Sequence, residues 1–462
     1  MKKSSIFKKA RYIICRLKNK GFKAYIVGGA VRDMIMGAEP DDYDIVTDAS
    51  PDVIAGMFKK TYPVGAEFGV TLVILGKKSF EVAQFRKDGI YEDGRRPLNI
   101  EPAAEIEDIC RRDFTINALL YDPDDMKIYD YAGGKDDIEK KIIRTVGDPF
   151  VRFGEDRLRM LRAVRFSVRF GFEIEPRTLT AIKENAYFIN DVSPERIGDE
   201  LSKMLTGNHP GEALRLLDET GLLKEILPEI SAMKGVEQPP QFHPEGDVFC
   251  HTLLMFENFR GGSVELAFGI LLHDVAKPLT ISHEDRIRFN LHDEIGAETS
   301  GIVMRRLRFP RDTVTKVQWL VKNHMKFNNV PKMRESTLKR FILQDGFDKL
   351  LELHRLDCLA SHKNLEIYEL IKNEIMKMQT ENIYGLPKPF LNGDDLKKLG
   401  YEPGRVFAEI LNRLLDLQIE GAVKTKKEAV NSVLSEFPLK LHRQNPEKEN
   451  NCWGQHKRRD TR

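Results

Sequence analysis

Asp42 and Asp44 stand one residue apart in IVGGAVRDMIMGAEPDDYDIVT, residues 26–47, shortly after the pair Gly28-Gly29. On a strand, side chains at i and i+2 point the same way, so two carboxylates are forced together unless a cation lies between them. A hard divalent metal carried by a nucleotide's phosphates meets that demand. Gly28 and Gly29 leave an apolar strand and precede a predicted helix, where the bare backbone can approach a triphosphate. Arg32, one turn in, adds a forked cation. Glu81, in the strand-like FEVAQF, is a candidate third carboxylate, although an outward-facing strand residue reads the same way.

RRDFTINALLYD (111–122) brings Arg111, Arg112 and Asp113 ahead of a helix-like segment, where Arg112 could grip a phosphate with both arms. In EDRLRMLRAVRFSVRF (155–170), Leu158, Leu161, Val164 and Val168 form one apolar helical stripe. Asp156, Arg159 and Arg162 recur every third residue on another face. A solvated salt-bridge face gives the same pattern. The arginines at 157, 159, 162, 165 and 169, with few lysines beside them, nevertheless suit planar recognition of bases or phosphates. An Asp accepting from an exocyclic amine, next to an Arg donating to ring acceptors, would read the edge of C or A and reject U.

A second constellation follows. DVFCHTLL, GILLHDVAKP, FNLHDEIGAE, VKNHMKF and LHRLDCLASHK place His251, His273-Asp274, His292, His324 and Asp357 along one helix-patterned block. Any one of these histidines alone would read as a core residue; together they read as a site. Imidazoles with carboxylates suit Mn²⁺, Fe²⁺, Ni²⁺, Co²⁺ or Mg²⁺ rather than a thiolate zinc site.

The elements that must position these groups divide at about residue 150. Residues 22–145 alternate strand-like runs with short helical stretches; beyond them nearly everything is helix-patterned. The expected organisation is a head over 1–145, a helical neck and body over 146–233, a linker around 234–247, a helical metal-binding domain over 245–380, a helical tail over 385–440 and a disordered basic end over 441–462. A chain of 462 residues has room for these domains. It is 41% hydrophobic and 31% charged, with mean hydropathy −0.40, and has no run near the ~20 apolar residues of a membrane span. The basic start MKKSSIFKKARYIICRLKNKG reads as an amphipathic helix rather than a signal peptide. Five cysteines without a CxxC pair suit free thiols and a cytoplasmic protein. A net charge of +2 excludes a globally basic nucleic-acid binder, but basic patches at both ends could still meet phosphates.

Taken in order, GGAVRD, DDYDIVT, VGAEFGVTLVI, EVAQFRKDGIYEDGRRP, RRDFTINALLYD and EDRLRMLRAVRF resemble the class II tRNA nucleotidyltransferases over residues 22–230. These are the CCA-adding enzymes of the polymerase-β-like superfamily, related to bacterial poly(A) polymerases. The resemblance implies an α+β multidomain fold: a polymerase-β-like head of mixed sheet and helices, then all-α neck and body, an all-α HD domain and a helical tail. It implies catalytic Mg²⁺ on Asp42 and Asp44, with Glu81 beside them. Gly28, Gly29, Arg32 and Arg112 would hold the triphosphate, with Asp113 and Asn117 in the same nucleotide site. Asp156, Arg159, Arg162 and Arg165 would form the protein template that selects C, then A. The implied reaction is attack of the tRNA 3′-hydroxyl on the α-phosphate of CTP or ATP, with pyrophosphate leaving.

QFRKDGIYEDGRRP resembles the flexible loop of enzymes able to add A, which disfavours a CC-only enzyme. An A-only enzyme stays open. A poly(A) polymerase is disfavoured, because no GRRF-like signature follows the carboxylate pair. The second constellation resembles the HD superfamily of metal-dependent phosphohydrolases. That implies His251, His273, Asp274 and Asp357 as ligands of one divalent transition metal or Mg²⁺, with His292 and His324 for a second metal or a phosphate. The domain would then hydrolyse phosphoesters such as 2′,3′-cyclic phosphates, or would be a metal-stabilised module helping to hold tRNA. LNGDDLKKLGYEPGRVFAEILNRLL resembles the tail that embraces the tRNA elbow. The implied partners are tRNA, CTP and ATP, with no membrane and the oligomeric state open. Two readings of other classes compete: an HD phosphohydrolase with a nucleotide-sensing head, and a non-catalytic RNA-binding scaffold.

Overall fold

Four apolar residues, Ala24–Val27, form β1 and are buried throughout. Around it a seven-stranded sheet assembles from β2 (Asp44–Thr47), β3 (Thr61–Pro63), β4 (Val70–Leu75), β5 (Lys78–Gln84), β8 (Leu119–Asp122) and β9 (Lys127–Asp130). Between these, β6 (Arg86–Asp88) and β7 (Ile100–Pro102) pair as a separate antiparallel ribbon. The sheet order is β3-β4-β5-β2-β1-β8-β9, with only β2 and β5 parallel. The computed structural model describes residues 4–64, 69–89, 99–241, 243–244, 246–283, 285–381, 383, 385 and 387–439.

The helix Ser5–Lys18 opens on Ser4, whose side chain accepts from the Phe7 amide, and buries Phe7, Ala10, Ile13, Ile14 and Leu17 on one face. Three of its cations meet carboxylates or a carbonyl of the head. Lys18 Nζ reaches Asp122 at 2.6 Å, Arg11 Nε reaches Asp124 at 3.1 Å, and Lys9 Nζ donates to the Leu75 carbonyl at 3.1 Å. Lys9, Arg11 and Lys18 thus clamp the helix on β4, β8 and the turn after β8.

Past residue 148 the chain is helical, and proline opens helix after helix: Pro149–Glu155, Pro176–Asn185, Pro194–Leu205 and Pro210–Glu219. At the first helical position proline loses no hydrogen bond and its φ is already set. The arginine-rich helix Leu158–Phe170 buries its expected stripe and also Met160, Ala163, Phe166 and Ser167. Helices Val248–Asn258, Val264–Leu272, His292–Arg306, Arg311–Asn323 and Phe347–Ala360 follow. A short hairpin, Ile281–His283 with Ile287–Phe289, interrupts this otherwise helical block. Its isoleucines and phenylalanine favour an extended backbone.

The chain divides into two compact units, residues up to 328 with 348–368, and residues 329–347 with those from 369 on. The second has its own core of Leu391, Leu396, Tyr401, Ile410, Leu414, Leu417, Val423, Ala429 and Val433. Among the described residues no helix is long and apolar enough to cross a membrane.

Candidate nucleotide site and metal centre

The turn leaving β1 sets the first site. Gly28 has φ 73°, a region open to glycine. A Cβ there would stand 3.6 Å from Arg112 Nη1 and 3.8 Å from the Asn117 carbonyl oxygen. Arg32, buried, donates from Nη1 to Asn117 Oδ1 at 2.5 Å and from Nε to Asp33 Oδ1 at 2.8 Å. Asn117 Nδ2 donates to Asp113 Oδ1 at 3.2 Å. Asp113 Oδ2 accepts from Arg162 Nη2 at 2.6 Å and Nε at 3.0 Å. Burial works to raise the Asp113 carboxyl, but Arg162 and these hydrogen bonds outweigh it and hold it below the usual range. Arg32, Asn117, Asp113 and Arg162 thus form one hydrogen-bonded chain from head to neck.

Strand pairing begins at Asp44, opposite Val27, because the Gly28 turn leaves β1 nothing further to offer. Asp42 therefore lies in the exposed approach to β2 rather than on the strand itself. Glu81 sits on β5 one step before Val82, the partner of Ile45, which puts it level with Asp44. Asp44 touches solvent, yet protein atoms crowd its carboxylate. That desolvation, then the like charges of Asp42 and Glu81, push its carboxyl up to about 6, against the pull of Arg112. The three carboxylates do not all converge within 4.8 Å of one another. Two of them completed by phosphate oxygens are the donor set that Mg²⁺ takes, and the uncompensated charge around Asp44 fits such an ion.

Arg112 is held from below. Its Nη2 donates to Asp108 Oδ2 at 2.9 Å, while Arg111 donates from Nη2 and Nε to Asp108 Oδ1 at 2.6 and 2.9 Å. Burial raises the Asp108 carboxyl, but Arg112 and Arg111 outweigh it and keep it low. Asp108 escaped the motif reading. Its signal was an acid three and four residues before an arginine pair, the spacing of helical ion pairs.

Each of the four residues of the expected template has a protein partner in this structure. Asp156 precedes the helix with φ −141°, capping the Leu158 amide at 3.2 Å and accepting from Arg196 Nη2 at 2.9 Å. Arg159 is buried, donating to Glu155 Oε2 at 2.7 Å and to the carbonyl oxygens of Arg152 and Arg111 at 3.0 and 2.9 Å. Arg165 pairs with Glu200 at 2.5 Å. Periodicity assigns a face and not a partner: Glu155, Asp113 and Glu200 each pair with one arginine. Arg159 and Arg162 nonetheless hold the segment that carries Arg112.

In the helical block the second constellation assembles. Nδ1 of His273, His292 and His324 lies 2.9, 2.8 and 2.6 Å from the carbonyls of Ile270, Phe289 and Val321. A carbonyl only accepts, so each Nδ1 carries the hydrogen and each Nε2 turns a lone pair inward. His292 Nε2 and His324 Nε2 stand 3.3 Å apart, two acceptors facing one another, which a cation between them would relieve. Asp274 Oδ1 lies 3.5 and 3.8 Å from these two nitrogens, and its Oδ2 lies 3.0 Å from His273 Nε2 and 2.7 Å from Lys277 Nζ. His251 Nε2 stands 3.1 Å from Asp357 Oδ1. Two groups result, His251 with His273 and Asp357, and Asp274 with His292 and His324, each with ligand atoms within 4.8 Å.

Asp274 touches His273 of the first group and His292 and His324 of the second, so it stands between the two. Burial pushes the His324 imidazole down to about 4, helped by His273. The donor set fits borderline divalent metals. Lys277, missed in sequence, follows Asp274 by three residues across the turn and pairs with it at 2.7 Å.

The segment resembling a flexible loop is described up to residue 89; residues 90–98 lie outside the described residues, as do 65–68 of VGAEFGVTLVI and the expected disordered end from 440.

Residues 24–144 match the family model described as "Poly A polymerase head domain" and 171–234 the "Probable RNA and SrmB- binding site of polymerase A". The CCA-adding enzyme of Bacillus licheniformis is 46% identical over 222 residues, 48% of this chain and 56% of that relative, so the match spans little more than half the relative's length. The Multifunctional CCA protein of Acinetobacter baumannii is 35% identical over 356 residues, covering 75% of this chain and 82% of that relative. The Bacillus stearothermophilus CCA-adding enzyme, solved in complex with CTP, superposes with TM-score 0.70 at 26% identity over 94% of this chain and 98% of that one.

Proposed function

The chain belongs to the CCA-adding family of tRNA nucleotidyltransferases, and from that premise we propose that its head adds CCA, or its terminal A, to tRNA 3′ ends from CTP and ATP in the cytoplasm. One observation carries this reading: Asp44, crowded by Asp42 and Glu81 and opposed by Arg112, faces the Gly28 turn. In the reaction the O–P bond from the primer's 3′-hydroxyl to the α-phosphorus forms as the bond to the pyrophosphate oxygen breaks. Arg112, braced by Asp108, and Arg32, braced by Asn117 and Asp33, hold the leaving phosphates. Gly28 keeps its turn clear so that the backbone and Arg112 can close on them. Arg162, fixed on Asp113, joins the helix of the template to that grip. Mg²⁺ on Asp42 and Asp44 would supply charge neutralisation and a lowered pKa for the attacking hydroxyl.

The test offers labelled CTP and ATP, singly and together, to tRNA lacking CCA and to tRNA ending in CC, with Asp42→Ala as control. CCA on the bare end supports the full enzyme. A on the CC end alone makes this an A-only enzyme, and a long A tract a poly(A) polymerase. No incorporation overturns the transferase reading and favours an HD enzyme with a sensing head.

A second reading rests on the inward-facing Nε2 atoms of the helical block. These support a metal-dependent phosphohydrolase whose two ligand groups are joined by His273-Asp274. A bound transition metal or Mg²⁺ would supply an activated water for phosphoester hydrolysis. Hydrolysis of 2′,3′-cyclic nucleotides after loading with Mn²⁺ or Ni²⁺, lost in His273→Ala, tests it. Metal retention without turnover would leave a structural centre.

A further inference from the structure

The segment 234–247, expected from sequence to be a linker, folds back on the metal centre instead. Asp247, at the N-cap of helix Val248–Asn258, ties it down. Its Oδ2 accepts from the Gly235 amide at 2.6 Å and its Oδ1 from the Cys250 amide at 2.7 Å. The Val248 amide donates to the Val236 carbonyl at 3.1 Å. Between these ties the His243 ring meets that of His251 edge-on, with centroids 5.0 Å apart, and Gln238 is only 3% exposed. A polar side chain buried on a loop is costly unless it has partners.

Only half of the Gln238 amide has one. Its Oε1 accepts from Lys277 Nζ at 2.6 Å, and that nitrogen also lies 2.7 Å from Asp274 Oδ2 and 5.2 Å from the centroid of the Phe289 ring. A lysine held between two oxygens is a donor, so turning the amide over would set donor against donor. Nε2 is therefore the free end, buried and without a hydrogen-bond partner among the described residues. It is tethered two hydrogen-bond lengths from the carboxylate that His273, His292 and His324 surround. The centre thus makes two demands at once. The Nε2 lone pairs of His292 and His324 call for a cation, while Gln238 Nε2 and Lys277 call for acceptor oxygens. A tetrahedral phosphate, with oxygens for a metal and others for N–H donors, answers both.

We propose that Gln238 is a substrate-binding residue of the helical centre, its amide N–H beside Lys277 holding a non-bridging oxygen of the phosphoester. This deepens the phosphohydrolase reading above and rests on it. The folded-back segment becomes one wall of the site, and Gln238 orients the phosphate towards the buried ligands.

The test uses two variants of the full chain loaded with Mn²⁺. Gln238→Glu keeps an acceptor for Lys277 but removes the donor, and Gln238→Met separates the lost donor from the added charge. Every protein compared, the parent included, carries Asp42→Ala, so that phosphate held with metal at the head does not enter. Binding of inorganic phosphate is followed by calorimetry, Mn²⁺ content by elemental analysis, and hydrolysis of 2′,3′-cyclic AMP by initial rates. The expected result is unchanged Mn²⁺ content in both variants, with the phosphate Kd raised about tenfold or more. The KM for the cyclic nucleotide rises by a similar factor. A phosphate Kd in Gln238→Met equal to that of the parent, at full Mn²⁺ content, overturns the proposal and leaves Gln238 as a prop for Lys277. Loss of Mn²⁺ in both variants also overturns it, by making Gln238 part of the metal scaffold. A parent that binds Mn²⁺ and phosphate but hydrolyses no phosphoester sinks the phosphohydrolase reading; a raised phosphate Kd in the variants would then still uphold the oxyanion contact of Gln238.

Discussion

The two sites of this chain are built on opposite principles. At the strand ends of the head, carboxylates stand open to solvent and crowd one another, and the arginines that would meet phosphates are held by Asp108 and Asn117. In the helical block His251, His273, Asp274, His292 and His324 are buried, and backbone carbonyls fix the Nδ1 of His273, His292 and His324. The first arrangement leaves part of the coordination to the arriving triphosphate and suits an ion that comes and goes with substrate. The second is aimed in advance, as a resident ion would require. A site completed by its substrate needs its protein scaffold braced from behind; a resident site needs its ligands pinned.

The largest effect should separate the two regions outright. Asp44→Ala removes a carboxylate proposed to hold Mg²⁺ and should lower nucleotide incorporation on the order of a thousandfold, while metal content of the helical block stays constant by elemental analysis. A parallel loss of bound Mn²⁺ would show that the regions are not independent. Next, Asp274→Asn strikes the residue shared by His273, His292 and His324 and should weaken Mn²⁺ binding about a hundredfold or more in calorimetry. Affinity within a few fold of wild type would break the claim of a pinned centre.

Acid stability sharpens the contrast in burial. His354, buried and stacked on Phe327 at 4.0 Å, has its imidazole pushed down to about 4 by desolvation. The folded state keeps it neutral where the unfolded chain binds a proton. Its contribution is therefore intact above pH ~6.5 and falls away as pH drops towards 4, by up to about 3 kcal/mol. His354→Gln should flatten denaturant midpoints across that window, and an undiminished slope would locate acid sensitivity elsewhere.

On the head side, Asp108→Asn keeps the shape but loosens Arg111 and Arg112, both partly exposed. A stability loss of about 1–2 kcal/mol is expected, with KM for ATP raised several fold and kcat less affected. A fall in kcat alone would place Asp108 elsewhere in the reaction.

Much of this was legible in the sequence because it is local. The Gly28-Gly29 turn, the Asp42–Asp44 pair and the arginine helix are short motifs whose spacing carries their chemistry, and the six His and Asp residues announced themselves by type. What stayed hidden depends on distant partners. Nothing near Arg165 points to Glu200, thirty-five positions on, and no periodicity tells that Arg159 turns inward to the carbonyl of Arg111. That Asp274 stands between His273 and the pair His292 and His324 turns on tertiary packing, which residue type does not encode. Asp42 falls outside β2 because the pairing stops with the Gly28 turn, a tertiary fact.

The central claim is that nucleotide transfer belongs to the head carboxylates alone. Its most direct test is the initial rate of labelled ATP incorporation into tRNA ending in CC, in Mg²⁺, for wild type, Asp42→Ala and Asp274→Asn side by side. The account predicts near-complete loss in Asp42→Ala and a rate close to wild type in Asp274→Asn. Incorporation that survives Asp42→Ala, or that vanishes with Asp274→Asn in a folded protein, would contradict it.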